Sequence, residues 1–208
     1  MRTMQKGTAR IAAKILVTFV SVTLLMDLLL KNTSDLQEGM WACYWASGAI
    51  LVGVIVGWDR PVAWGVVFFG SIGLPAWLLG FLFGRQVYVT SILIHTIPLG
   101  AGLLYLSGLK RLPRFSAVGA WLLYAIPFGM AWYVCDPSAM INLTHLKVSL
   151  LPGFFPQLWE FYTGALVLSG VSSGIVAWLL DPLLRYRASV SGTRMKSERA
   201  GLARRRER

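Results

Sequence analysis

The chain is short of charge, and above all of negative charge. Asp and Glu together number 9 in 208 residues, and all charged residues make up 14%. A water-soluble domain carries roughly 25% charged residues, so this sequence lacks the polar surface to wrap a water-facing globule. Cysteine and histidine are scarce as well, at two each. Two cysteines are too few for a disulfide framework. Neither HxxxH nor ExxH spacing occurs, which removes the usual helical metal-ligand patterns. The polar–apolar alternation of a membrane β-strand, sustained over about 10 positions, is also missing, as "VAWGVVFFGSIGLPAWLLGFLFG" (Val62–Gly84) shows.

What the sequence has in quantity is apolar surface. Hydrophobic residues make up 56% and the mean hydropathy is +0.61. A helix needs about 20 apolar residues to cross a hydrocarbon core. Six stretches qualify: Ile11–Leu30, Met40–Gly57, Val62–Gly84, Val87–Leu109, Phe115–Cys135 and Leu158–Leu180. They predict an all-α membrane protein with six transmembrane helices. Residues 1–184 would form the transmembrane domain, and residues 185–208 a basic, disordered cytoplasmic tail. Before the first span stand Arg2, Lys6, Arg10 and Lys14, and "KNTSDLQE" after it offers no small-x-small cleavage site, so it reads as an uncleaved signal-anchor.

Basic residues set the expected orientation. Of the 20 Lys and Arg, only Lys31, Arg85 and Lys147 fall in the connections after spans one, three and five. The positive-inside rule then puts both termini in the cytoplasm and the protein in the cell membrane as a multi-pass chain. The net charge of +11 becomes largely topological on this reading. The basic residues are not interleaved with stacking aromatics as single-strand binders require, so nucleic acid is not an expected partner. Membrane lipids are, with each juxtamembrane basic residue adding about 1 kcal/mol; a membrane protein partner is a further option.

On this topology the unusual polar residues fall in the outer half: Asp27, Cys43, His95, Cys135, Asp136, Asn142, His145 and Glu160. His95 stands out, because ionisable side chains at membrane depth usually face a bundle interior or a cavity. It reads either as a neutral imidazole bonding a neighbouring helix or as a general base. Asp27 sits where a carboxylate reaches water cheaply, and Glu160 complements a helix N-terminus. Three readings of the cysteines stay open: buried inert thiols, a Cys43–Cys135 bridge, and a reactive Cys43. His95, His145, Asp136 and Glu160 lack ligand spacing, so neither a metal nor another cofactor is expected.

The order of certain short motifs resembles the YwaF-like integral membrane family. They are Cys43 in "MWACYWAS", Phe69–Gly70 in "VVFFGSIG", His95 to Tyr105 in "IHTIPLGAGLLY", and "SAMINLTHLKVSLLPGFFPQLWEFY" with Asn142, His145, Lys147 and Trp159. The likeness spans roughly residues 40–180. It departs from the family where "WAC" replaces "HLC", and where six spans replace the usual seven. The family has a eukaryotic relative that is a cysteine–histidine acyltransferase acting on phospholipids. The resemblance therefore implies Cys43 as nucleophile, His95 as its base, and Asn142 or His145 as oxyanion or substrate contacts. Counted from the span starts, Cys43 and His95 would lie about 8 Å apart in depth. Two functions follow as expectations: an intramembrane lipid acyltransferase or hydrolase, or a non-enzymatic membrane component such as a scaffold, assembly partner or small transporter-like subunit. Pro152 and Pro156 stop any helix before the sixth span, and Trp159 and Tyr162 suit an interfacial aromatic belt. Asn142 and His145 in that re-entry segment would then act as a lid.

Overall fold

The computed structural model describes residues 8, 11–19, 21, 42–82, 89–134 and 158–206. Residues 11–19 are helical. Then follow α1 (Ala42–Val56), α2 (Asp59–Phe68), a π-helical segment (Phe69–Gly73), α3 (Leu74–Leu82), α4 (Val89–Leu106), α5 (Ser116–Val134) and α6 (Leu158–Arg206). No strand occurs among the described residues.

α1 and α2 form a close hairpin. α1 buries Ala42, Ala46, Ser47, Ile50, Gly53 and Val54, spaced by three and four residues along one face. Gly57 ends it in the left-handed region at φ 84, and the N–H groups of Gly57 and Trp58 both return to the Gly53 carbonyl, at 2.8 and 2.7 Å. α2 restarts two residues later with Asp59 in its first turn, where a carboxylate suits the helix dipole. The two backbones touch at Gly65. A Cβ there would stand 2.7 Å from the Ala46 carbonyl oxygen and 2.5 Å from the Ile50 side chain.

α2 is the central helix, burying Val62, Ala63, Gly65, Val66, Val67 and Phe68 against α1, α4 and α5. Its α-helical hydrogen bonding breaks just beyond. Pro75 has no N–H to give the Ser71 carbonyl, and the Leu74 N–H reaches the Phe69 carbonyl five residues back. One residue is thereby inserted as a π-bulge. The Ser71 hydroxyl bonds the Val67 carbonyl at 2.7 Å and meets the buried Ser173 hydroxyl of α6 at 3.2 Å. α6 is also tied to α5 by the Trp121 indole N–H, which donates to the Leu166 carbonyl at 3.0 Å.

The α4–α5 connection is short and anchored. The Leu112 N–H donates to Asp181 of α6 at 2.9 Å, and Asp181 also pairs with Arg185 at 2.6 Å. Phe115, just before α5, adopts φ 62. An aromatic residue in the left-handed region costs about 1–2 kcal/mol.

This architecture corrects the six-span reading. Among the described residues two helices are long and apolar enough to cross a membrane, Asp59–Leu78 and Thr163–Val190. Ala42–Val56, Ile92–Leu106 and Ser116–Ala131 are apolar but shorter. At 1.5 Å per residue, the 15 residues of α1 extend about 22 Å, against a hydrocarbon core of about 30 Å. The two candidates differ in kind: 44% of Asp59–Leu78 is buried inside the protein, but only 11% of Thr163–Val190. Apolar runs overcount spans because apolar residues packed between helices read the same as residues facing lipid. The helices at Ala42–Val56, Ile92–Leu106 and Ser116–Ala131 bury such residues. The multi-pass cell-membrane placement and the cytoplasmic assignment of both termini rested on six spans and fall with that number. α6 continues as helix to Arg206, through most of the basic stretch 185–208.

The Gly65 contact sets a stability test. Gly65→Ala should lower unfolding stability by about 1–3 kcal/mol through overpacking. Gly48→Ala, which meets nothing within 4 Å, should be neutral or slightly stabilising, because alanine is the better helix former. Denaturant unfolding followed by helical circular dichroism checks both, and equal effects would refute the tight contact.

Candidate functional site

α1 and α4 run parallel. Ile50 of α1 would touch a Cβ at Gly102 of α4 at 3.4 Å, and seven residues earlier on both helices stand Cys43 and His95. The Cys43 Sγ lies 3.1 Å from the His95 Nε2. The 8 Å depth gap expected from the sequence does not exist. His95 sits about five residues deeper in its helix than Cys43 does, but the two helix starts are staggered to match.

Two aromatic rings enclose the imidazole. Trp77 stacks on it with centroids 5.3 Å apart and planes inclined by 21°. Phe69 meets it edge-on at 6.0 Å and 81°. Both rings come from the chain that carries the π-bulge. In a regular α-helix, residues eight apart differ by about 80° around the axis, whereas residues seven apart nearly coincide. The inserted residue makes Phe69 and Trp77 behave as the second kind. Pro75 thus brings the two rings to one face, against His95.

His95 is buried, and Cys43 packs against the hydrophobic core as a free thiol. Part of the Cys43 residue remains accessible although its surroundings are dense protein. Burial pushes its thiol up from 9.0 to about 12, and a backbone hydrogen bond offsets only part of this. Cys43 lies outside both helices long enough to cross a membrane. Burial favours the protonated thiol, and with the imidazole neutral and its proton on Nδ1 the contact runs from S–H to Nε2. A neutral pair of this kind can pass its proton at the moment the sulfur attacks.

One turn along α1 from Cys43 stands Ser47, fully buried, whose hydroxyl has no hydrogen-bond partner among the described residues. Residues four apart share a helix face, so an unused donor lies on the face that carries the thiol. Among the described residues no three His, Cys, Asp or Glu side chains gather as a metal site.

The structure brings together Cys43 and His95 of the sequence candidates. Asp27, Cys135, Asp136, Asn142, His145 and the side chain of Glu160 lie outside the described residues. Tyr105, from the same motif as His95, is engaged elsewhere, donating to Asp59 at 2.9 Å. Trp77 and Ser47 are the residues that sequence reasoning missed. Pro75 within a glycine-rich helix was the available signal for Trp77, and Ser47 offered only its spacing from Cys43.

None of the family models, curated proteins or solved structures compared with the chain matches it. The site is too little to carry a multi-pass enzyme: one thiol beside one histidine, with two candidate spans among the described residues. The intramembrane lipid acyltransferase or hydrolase, and its alternative as a non-enzymatic multi-pass component, are therefore set aside.

The raised thiol predicts a pH profile. In a Cys135→Ala chain, alkylation of Cys43 by iodoacetamide should keep rising about tenfold per pH unit above pH 9. The unfolded chain should level off near the ordinary value of 9.0. Over the same window the folded chain holds a proton that the unfolded chain releases. Stability should therefore fall as pH climbs from 9.0 toward about 12. A plateau near neutral pH would instead mark a thiolate–imidazolium pair.

Proposed function

We propose that Cys43 and His95 form a nucleophilic thiol centre that captures an acyl group as a thioester. The observation that supports this most is the 3.1 Å contact between Sγ and Nε2 in an aromatic-framed, buried setting. A histidine used only to knit helices would be satisfied by any polar partner; here its partner is the one side chain nearby with strong carbon nucleophilicity. The reading rests on the local pair and needs no particular number of membrane spans.

In the step proposed, Sγ attacks the carbonyl carbon and its proton moves to Nε2. The carbonyl π-electrons collect on oxygen, where the unused Ser47 hydroxyl is the nearest candidate donor on the thiol's helix face. Collapse breaks the acyl C–O bond, and the proton on Nε2 leaves with the departing oxygen. The product is a neutral thioester and a neutral imidazole, so no net charge is left in a buried place. Phe69 and Trp77 favour an apolar acyl chain over a charged one.

The full chain, incubated with p-nitrophenyl octanoate, should gain a single octanoyl group on Cys43. Neutral hydroxylamine should remove it, and Cys43→Ala should not acquire it, as read by intact-protein mass and peptide mapping. His95→Ala should slow acylation about 10²–10⁴-fold, the usual contribution of a general base. Acylation at an unchanged rate in His95→Ala would end the proposal, as would a label that maps to another residue.

A further inference from the structure

At the far end of α1 and α4 from Cys43 lies a basic edge. Arg60, Lys110, Arg111 and Arg114 border a groove of about 610 Å³. Asp59 lines it too, but its carboxylate already accepts the Tyr105 hydroxyl at 2.9 Å. Behind the loop, Asp181 is taken by Arg185 and by the Leu112 N–H. Among the described residues none of the four cations stands in an ion pair. The groove therefore keeps its positive charge although carboxylates are close by.

The loop backbone that carries Lys110, Arg111 and Arg114 is anchored. The Leu109 N–H bonds the Leu106 carbonyl at 2.8 Å, the Ser116 hydroxyl bonds the Pro113 carbonyl at 2.6 Å, and Leu112 is tied to α6. Two exposed aromatics adjoin the cations along the chain: Trp58, two residues before Arg60, at 60% exposure, and Phe115, next to Arg114, at 74%. Phe115 is also the non-glycine residue at positive φ, strain kept where burial gives no return. The two described helices long enough to cross a membrane both reach this level. One begins at Asp59, and the other carries Asp181 and Arg185 shortly before its end at Val190.

We propose that the Leu109–Phe115 loop and Arg60 form a docking edge for the phosphate headgroup of an anionic phospholipid, with Trp58 and Phe115 entering the acyl boundary. Guanidinium groups match phosphate oxygens two at a time. Tryptophan, and aromatic rings more generally, suit the level between headgroup and chain. A soluble phosphate compound would use the cations but would have no use for two exposed rings.

The test uses the full chain in a lipid-free, non-ionic detergent, titrated with short-chain phosphatidylglycerol, short-chain phosphatidylcholine or inorganic pyrophosphate. Phosphatidylglycerol should bind best, and its affinity should fall with added salt. One basic residue at an anionic lipid surface is worth about a fivefold factor, so R111Q/R114Q should weaken phosphatidylglycerol binding about 30-fold. The same variant should leave phosphatidylcholine binding unchanged. Both arginines are exposed, so unchanged helical circular dichroism will certify the variant's fold. Phe115→Ala should weaken both lipids and leave pyrophosphate alone. Equal binding of the two lipids, or phosphatidylglycerol binding untouched in R111Q/R114Q, overturns the proposal. Pyrophosphate binding as tightly as phosphatidylglycerol overturns it in favour of a soluble phosphate ligand.

Discussion

The crowding around Ile50 sets how α1, α2 and α4 meet, and the thiol–imidazole pair depends on it. Its side chain fills the place where three backbones converge, with Gly65 of α2 and Gly102 of α4 both presenting no side chain to it. It is 1% exposed, and full burial of such a side chain contributes about 1.5–3 kcal/mol. The energy matters less than the register. A parallel helix pair locked at Ile50 and Gly102 must also face Cys43 with His95, since seven residues is two turns on each helix. The thiol–imidazole contact is therefore a consequence of packing two turns away. A change at Ile50 would move the pair without touching it.

The second determinant is a defect in regular structure. Pro75 and its neighbouring glycines look in the sequence like ordinary irregularities of an apolar helix. Their effect is rotational: a single inserted residue turns α3 relative to α2 and brings Trp77 over the ring that Phe69 already touches. π-bulges recur at functional sites for this reason. They re-aim a side chain while keeping the helix continuous and its core contacts intact. Here the bulge also leaves the Ser71 hydroxyl to bond its own helix and to meet Ser173, so α6 closes over it.

How much of this could be read beforehand divides by range. Helical class was legible from apolar runs without alternation, and α1, α4 and α5 lie within predicted stretches. The number of membrane crossings was not, because hydropathy cannot separate burial in protein from burial in lipid. α1 shows the difficulty: Ala46, Ile50 and Val54 are buried against other helices, yet its run reads as a span. For the site, residue type singled out Cys43 and His95. Their distance could not be read, since it depends on the stagger of two helices fixed at Gly102. Trp77 was missed because only the bulge gives it its direction. Asp59 and Tyr105 bond across 46 residues of chain, a pairing that no local pattern announces.

The Asp59–Tyr105 bond also explains how one rigid pair of helices can serve two unlike places. It joins the end of α4 to the start of α2, closing the end of the bundle opposite Cys43 and His95. Between the two places lie about 20 Å of α1, filled by small and branched apolar side chains. At one end, in the step proposed, a desolvated thiol passes its proton to an imidazole framed by Phe69 and Trp77. At the other, Asp59 and Asp181 are occupied, and among the described residues the four cations stand in no ion pair. Desolvation that keeps a thiol neutral would penalise those cations severely, while the open, charged edge would hydrate the thiol and lower its pKa. The two chemistries need opposite surroundings, and the apolar length of α1 and α4 is what keeps them apart.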